Sequence, residues 1–283
     1  MTEGRIFSVE EFSTYDGPGI RMTVFMKGCP LRCEWCHNPE GQSFGTEMIK
    51  SPNGCLSCGA CMRKGEELTG SPCLVPESIS VCPRRLVREC GKLYTPHRLV
   101  GEIEKNLTVL NMSGGGVTFS GGEPLCHYEF LMECMRLLRG KTHRAIQTCG
   151  QAGSEIFSAA LAECDYMLYD LKHMDSGIHK HFTGMGNEQI LKNYEILARS
   201  GKPFVTRIPL IPTVNDTEEN IKETSEFMSR LGVKYIELLP YNKMAGGKYM
   251  MLGRKYAPSF DGSLTPNDHT DIFNEYGIEV KIL

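Results

Sequence analysis

Long apolar runs are missing from this chain. No stretch of its 283 residues approaches the ~20 consecutive apolar residues that a membrane helix needs. No apolar segment follows the polar start Met1-Thr2-Glu3-Gly4-Arg5, so a secretory leader is not expected either. An excess of basic charge is also missing. The 31 Lys and Arg stand against 34 Asp and Glu, a formal net charge of −3, which offers no basic face for nucleic acid as the main partner. Phosphate-binding motifs are absent as well. Gly114-Gly115-Gly116 and the later Gly121-Gly122 pair come without a Walker lysine and at a spacing that fits no dinucleotide fingerprint. These absences lead to the expectation of a cytoplasmic globular protein with no nucleic-acid and no membrane partner. The length suffices for one large α/β domain with a small insertion.

Cysteine is what the chain has in quantity, with thirteen residues. In a reducing compartment, clustered cysteines more often hold metal than form disulfides. Cys29, Cys33 and Cys36 form one group; Cys55, Cys58 and Cys61 form another; Cys73, Cys82 and Cys90 follow closely. The remaining Cys126, Cys134, Cys149 and Cys164 read as small buried residues.

Outside residues 51–92, strand-like and helix-like segments alternate. Strands are expected at 21–25, 117–119, 144–148, 166–171, 204–208 and 235–239. Helices are expected at 96–110, 128–138, 154–163, 188–199 and 217–231, the last begun by Asn215-Asp216. Alternation of this kind implies parallel βαβ units, and six are too few for a closed eight-unit barrel. A partial barrel or an open doubly wound sheet remains. Each strand leads at its carboxyl end into residues with chemistry: the cysteine triad, Gly121-Gly122-Glu123-Pro124, Thr148, Asp170 with Lys172, Arg207, and Asn242. Active sites of parallel α/β folds lie at that rim. Residues 51–92 are rich in Cys, Gly, Pro and Ser and cannot bury a core alone, so metal is the expected staple. The domain division is therefore a barrel of 1–50 and 93–283 interrupted by an inserted segment, 51–92.

The run Gly28-Cys29-Pro30-Leu31-Arg32-Cys33-Glu34-Trp35-Cys36-His37 places three thiolates on one loop after a strand. Three such ligands can hold three corners of a [4Fe-4S] cubane and leave the fourth iron open for chemistry. A zinc site completed by His37 and a redox pair of Cys33 with Cys36 are the alternatives. The Cys-x3-Cys-x2-Cys spacing resembles the hallmark of the radical S-adenosylmethionine (SAM) superfamily. That resemblance implies a partial (β/α)6 TIM-type barrel in which Cys29, Cys33 and Cys36 hold the SAM-binding [4Fe-4S] cluster. The cluster reductively cleaves the cofactor to a 5′-deoxyadenosyl radical. Gly121-Gly122-Glu123 is similar to the superfamily's turn for the cofactor's amino group. Its glycines permit close approach, and Glu123 offers an acceptor.

Further segments resemble the activating enzymes of glycyl radical enzymes: Thr14-Tyr15-Asp16-Gly17-Pro18-Gly19-Ile20-Arg21, His37-Asn38-Pro39-Glu40-Gly41, and Asp170-Leu171-Lys172-His173-Met174-Asp175. The likeness covers essentially the whole chain. It implies abstraction of a hydrogen from the Cα of one glycine in a partner glycyl radical enzyme, under anaerobic conditions, with flavodoxin or ferredoxin as electron donor. By the same likeness Asp170 and Lys172 hold the methionyl end of SAM, Thr148 lies beside it and Arg207 near it. Asp16 and Gly17 face the partner's glycine loop. Two positions depart from the pyruvate formate-lyase activase pattern: Gln147 stands where that enzyme has an acidic cation ligand, and Asn242 where it has a histidine. Asn242 keeps the capacity to hydrogen-bond a ribose hydroxyl. A radical SAM enzyme acting on a small molecule or peptide is the second reading, and a non-catalytic iron–sulfur electron carrier the third.

Cys55-x2-Cys58-x2-Cys61 opens like a bacterial ferredoxin run. Gly65 stands where the first Cys-Pro belongs, no second triplet exists, and Cys82-Pro83 resembles the closing Cys-Pro. The expectation is one auxiliary [4Fe-4S] cluster on Cys55, Cys58, Cys61 and Cys82, with Cys73 and Cys90 as rival ligands and a zinc ribbon as the alternative. The pyruvate formate-lyase activase lacks such an insert, whereas activases of decarboxylases, choline lyase and related dehydratases often carry it.

Overall fold

The structure, a computed structural model, describes residues 2–283. Its strands are β1 (Gly4–Ser13), β2 (Arg21–Met26), β3 (Glu47–Lys50), β4 (Val87–Cys90), β5 (Lys92–Tyr94), β6 (Gly116–Gly121), β7 (His143–Thr148), β8 (Tyr166–Asp170), β9 (Phe204–Leu210), β10 (Tyr235–Pro240) and β11 (Glu279–Ile282). Nine of them form one sheet in the order β11-β10-β9-β8-β7-β6-β2-β1-β5, and β3 pairs with β4 in a separate hairpin. All pairs from β2 to β11 are parallel, while β1 and β5 extend the β2 side antiparallel. The six expected strands are therefore contiguous and parallel. The sheet does not close on itself, as a partial (β/α)6 barrel requires. A seventh parallel strand, β11, and the antiparallel pair flank it. β1 eluded the sequence because register shifts at Ile6/Ser8 and Glu10/Ser13 break its alternation.

Side chains alternate across each strand. One set, including Val24, Met26, Phe119, Ile146, Met167, Ile208 and Leu238, joins the helices in a single buried cluster. Those helices span Tyr128–Leu138, Ser154–Glu163, Glu188–Arg199 and Glu218–Arg230. Each such side chain contributes roughly 1.5–3 kcal/mol on burial. The expected helix at 96–110 is instead two helices, Pro96–Ile103 and Leu107–Met112, joined by a single tight turn, Glu104–Asn106. Thr217 rather than Asn215 caps Glu218–Arg230, accepting from Asn220 N–H. No helix of the described residues is long and apolar enough to cross a membrane.

The opposite set faces the barrel interior and mixes polar residues with a small apolar cluster of Ala145, Leu168 and Val205. Arg21 is fully buried there and donates to Thr118 Oγ1 (2.9 Å), to the Pro18 carbonyl (3.3 Å) and to the Val117 carbonyl. Burial pushes its pKa down to about 10. Thr118 in turn donates to the Asp16 carbonyl at 2.6 Å, and Thr23 donates to Asp16 Oδ2 at 2.7 Å. The β1–β2 connection is thereby drawn into the barrel. Replacement of Arg21 by Met is expected to leave these buried acceptors unpaired and to cost about 3 kcal/mol of unfolding free energy. Urea denaturation followed by circular dichroism checks this; a loss below about 0.5 kcal/mol, the level of a surface substitution, contradicts the assigned role.

Candidate active site

A cavity of about 270 Å³ opens at the carboxyl rim of the parallel strands. Cys29, Cys33 and Cys36 line it from the loop after β2. Gly121 and Gly122 line it after β6, Gln147 and Thr148 at the end of β7, and Asp170 and Lys172 at the end of β8. Asp16 reaches the same cavity from the β1–β2 connection. Backbone bonds hold the cysteine loop. Gly28 N–H donates to Gly41 O (2.7 Å) and Cys29 N–H to Gln42 O (3.3 Å), closing its base. Arg32 and Glu34 N–H groups donate to Thr183 and Phe182 carbonyls at the end of helix Ser176–Thr183. Trp35 is buried with Tyr241 and Phe260 and pins the loop's middle.

Burial pushes the Cys29 and Cys33 thiols above their ordinary range and the Cys36 thiol to about 12. Neighbouring anionic groups, Glu123 beside Cys29 and Cys33 beside Cys36, add to the shift. Three partly buried thiols of this kind stay neutral unless a cationic centre compensates the thiolates. Among the described residues, no three His, Cys, Asp or Glu side chains are gathered to hold a single ion. The triad lines a wider space, and its donor set fits three corners of a cubane. Lys172 lies 3.5 Å from Asp170 with its side chain 9% exposed. Burial alone would lower its pKa, yet Asp170 and the surrounding thiols hold it above the usual value. Its backbone carbonyl accepts from the buried Asn215 side chain at 2.8 Å, so the loop after β8 is fixed from β9's side.

Gly121 and Gly122 lie against the cysteine loop. A Cβ at Gly121 would stand 2.2 Å from Met26 N, and one at Gly122 would stand 2.4 Å from Gly28 O. No other residue type allows this approach. Glu123 departs from the sequence expectation. It is fully buried, does not line the cavity, and its carboxylate is already satisfied. Thr148 Oγ1 donates to it at 2.6 Å, Leu125 N–H at 3.1 Å, and Cys149 N–H and thiol each at 3.0 Å. Glu123 thus sets Thr148 and Cys149 in place from behind.

Three further expected residues stand elsewhere. Arg207 lies within β9, which runs on through Pro209 to Leu210, and its guanidinium pairs with Glu237 at 2.8 Å and donates to the Tyr15 carbonyl. It braces the β1–β2 connection and does not line the cavity. Asn242 accepts from Met244 N–H at 2.9 Å in an exposed turn outside the cavity. Gly17 follows Asp16 at φ +122° beside the Arg21 side chain; it, too, is absent from the lining. Conversely, Cys149, read from the sequence as a small buried residue and indeed buried, lines the cavity, as do Trp35 and Tyr241, to which the sequence reading gave no role. Position directly after Thr148, and between Cys33 and Cys36, was the available signal. Cys126, expected to be buried, is exposed.

In the inserted segment, Cys55, Cys58, Cys61 and Cys82 all line one cavity of about 250 Å³. Ser57 N–H points at Cys55 Sγ (3.4 Å) and Leu86 N–H at Cys82 Sγ (3.3 Å), the kind of N–H···S contact that tunes cluster thiolates. Backbone donors, that of Leu86 foremost, lower the Cys82 thiol. This set fits a second cubane. Cys73 and Cys90 are not in that lining. Cys73 Sγ sits 3.3 Å from Thr69 Oγ1, and its carbonyl would meet a Cβ at Gly65 at 2.0 Å. Cys90 is buried in β4 opposite Glu47.

Burial holds the Glu123 carboxyl above its ordinary 4.5 despite the donors around it. A raised folded-state pKa favours folding with the group protonated; that contribution is full below the unfolded value and is lost as pH rises through the folded one. In metal-free protein, Glu123→Gln is expected to remove this part of the decline in stability as pH rises above 4.5. Denaturation curves across that range check it, and parallel wild-type and variant profiles contradict it.

Comparison with known proteins bears on this site. A profile of the radical SAM superfamily matches residues 23–228. The isethionate sulfite-lyase activating enzyme of Nitratidesulfovibrio vulgaris is 36% identical, with 90% of this chain and 89% of that protein covered. The 4-hydroxyphenylacetate decarboxylase activating enzyme of Clostridioides difficile is also 36% identical, over 98% of this chain and 95% of its own length. A radical SAM methyltransferase from Sphaerobacter thermophilus shares the fold, with a TM-score of 0.54 at 13% identity, covering 98% of this chain and 76% of that one. The chain belongs to the radical SAM superfamily and, within it, to the activating enzymes of glycyl radical enzymes.

Proposed function

We propose that the rim cavity is where this activating enzyme prepares a glycyl radical enzyme for catalysis, with Cys29, Cys33 and Cys36 as the cluster ligands. When bound, the [4Fe-4S] cluster and SAM supply reductive cleavage to a 5′-deoxyadenosyl radical, which takes a hydrogen atom from a backbone glycine of the partner. The observation that supports the assignment most is the convergence of the three thiols, the glycine pair and the Asp170–Lys172 pair on one cavity. Gly121 and Gly122 keep that wall free of side chains. Asp170, Lys172 and Thr148 offer donors and acceptors to the zwitterionic methionyl end of the cofactor. Glu123 acts behind them as a positioning residue, and Arg207 does the same for the connection that carries Asp16 and Gly17 toward the partner's glycine. Asn242 is at most a peripheral contact.

Residues 51–92 are proposed as an inserted cluster unit, with Cys55, Cys58, Cys61 and Cys82 holding one auxiliary [4Fe-4S] cluster. The set of thirteen free thiols suits a reducing cytoplasm and anaerobic chemistry, with a flavodoxin or ferredoxin as the one-electron donor. The relatives named above serve enzymes with unlike substrates, a sulfite-lyase and a decarboxylase. The partner here is identified by kind, as a glycyl radical enzyme.

Anaerobic reduced protein mixed with SAM is expected to release 5′-deoxyadenosine. In the presence of the partner it should also produce an electron paramagnetic resonance signal of glycyl character. Cys33→Ser is expected to abolish both; retained cleavage refutes the ligand set. Iron analysis separates the two sites. About eight irons per chain are expected in the intact protein and about four in Cys82→Ser, and an unchanged count in that variant overturns the auxiliary assignment.

A further inference from the structure

The strand that leads into the inserted segment and the turn that ends the segment both close on one buried lysine. Lys27 precedes Cys29 by two residues, and its side chain is fully buried. Its ammonium donates to Glu47 Oε2 at 2.8 Å and to the Glu40 carbonyl at 2.7 Å. Glu47 opens β3, where the inserted segment departs from the barrel. Gly91 follows β4, where the segment returns, and a Cβ there would stand 2.3 Å from Lys27 Cδ. The second oxygen of Glu47 accepts from Arg254 Nη2 at 2.5 Å, and Arg254 also donates to the Pro39 carbonyl at 3.3 Å. One carboxylate therefore serves two cations. The lysine lies just before the cysteine loop, and the arginine grips the segment just after it.

A fully buried ammonium is tolerated only with its counter-charge in place. Removing the charge of Glu47 leaves Lys27 with a single carbonyl and Arg254 with neutral partners. The base of the loop, Gly28 N–H to Gly41 O and Cys29 N–H to Gln42 O, then loses the ionic clamp on either side. We propose that Glu47 is a positioning residue for the cluster loop: from the strand that leads into the inserted segment it holds Cys29, Cys33 and Cys36 in register with the barrel rim. Glu47 does not line the rim cavity. The inference rests on the assignment of that loop to the SAM-binding cluster.

Hydrogen exchange of the full-length, metal-free protein tests this without relying on activity. In Glu47→Gln the Gly28 and Cys29 amides are expected to exchange at least about tenfold faster, while the Cys149 amide, bonded to Glu123, is unchanged. In the reconstituted, reduced protein, the SAM-induced change in the cluster's electron paramagnetic resonance signal should require about tenfold more cofactor. Arg254→Gln leaves Lys27 its partner, so this milder variant should fold and shift both readouts in the same direction by a smaller factor, about threefold. Native exchange at Gly28 and Cys29 in Glu47→Gln overturns the proposal. So does acceleration spread evenly through Cys149, which marks a general loss of stability. Loop amides that loosen while the cofactor titration stays put refute the positioning role and leave the ligand assignment intact. A cluster that fails to form in the otherwise native wild-type protein is the separate outcome that refutes the ligand assignment itself.

Discussion

Three thiols on one loop, each made reluctant to ionise by burial, are the constraint on which the rest of the structure depends. Free thiols in such a place gain nothing from proximity, because each thiolate would raise the next. A cationic iron centre would reverse that balance, and in the proposed assignment the fold around the loop presents the three sulfurs together to it. Backbone bonds close the loop at Gly28 and Cys29, helix Ser176–Thr183 accepts from its middle, and Trp35 anchors it in an aromatic cluster. The glycine pair after β6 sits against its base with no room for a side chain. Lys172 adds a buried positive charge held by Asp170. None of these contacts is chemical in itself; together they make one geometry available.

The barrel is open. A closed barrel fills its interior with side chains, whereas here the interior wall between β2 and β10 combines a small apolar cluster of Ala145, Leu168 and Val205 with polar braces from Arg21, Arg207 and Glu237. Into it the β1–β2 connection is drawn by the bonds on Asp16 and Tyr15. A backbone glycine has to be brought to the cofactor as part of a chain. A rim cavity bordered by Gly121 and Gly122 and open at the strand ends suits an extended segment better than a sealed pocket would. Glycine also suits the role because it presents its Cα without a side chain in the way.

Much of this was legible before the coordinates. The six parallel strands read cleanly because both of their faces are enclosed, one by helices and one by the barrel interior, and the helices at 128–138, 154–163 and 188–199 carry unbroken apolar periodicity. The cysteine spacings pointed to two candidate metal sites, since thiols on one short loop announce themselves locally. What could not be read depended on long-range geometry. Glu123 looks like a ligand from its motif, yet Thr148 and Cys149, from the neighbouring strand, take up both of its oxygens. Arg207 looks terminal because the strand is expected to end at 208, but β9 continues to Leu210. β1 hid behind its bulges, and the Lys27–Glu47–Arg254 clamp joins residues scattered over the whole chain.

The account centres on transfer of one hydrogen atom from a backbone glycine of the partner protein to the cofactor's adenosyl fragment. The most direct measurement uses partner protein made with α-deuterated glycine. It is activated anaerobically by this enzyme with unlabelled SAM, and the 5′-deoxyadenosine is weighed by mass spectrometry. The account predicts one deuterium in the product, formed in step with the glycyl signal. Unlabelled 5′-deoxyadenosine accompanying a full glycyl signal would contradict it.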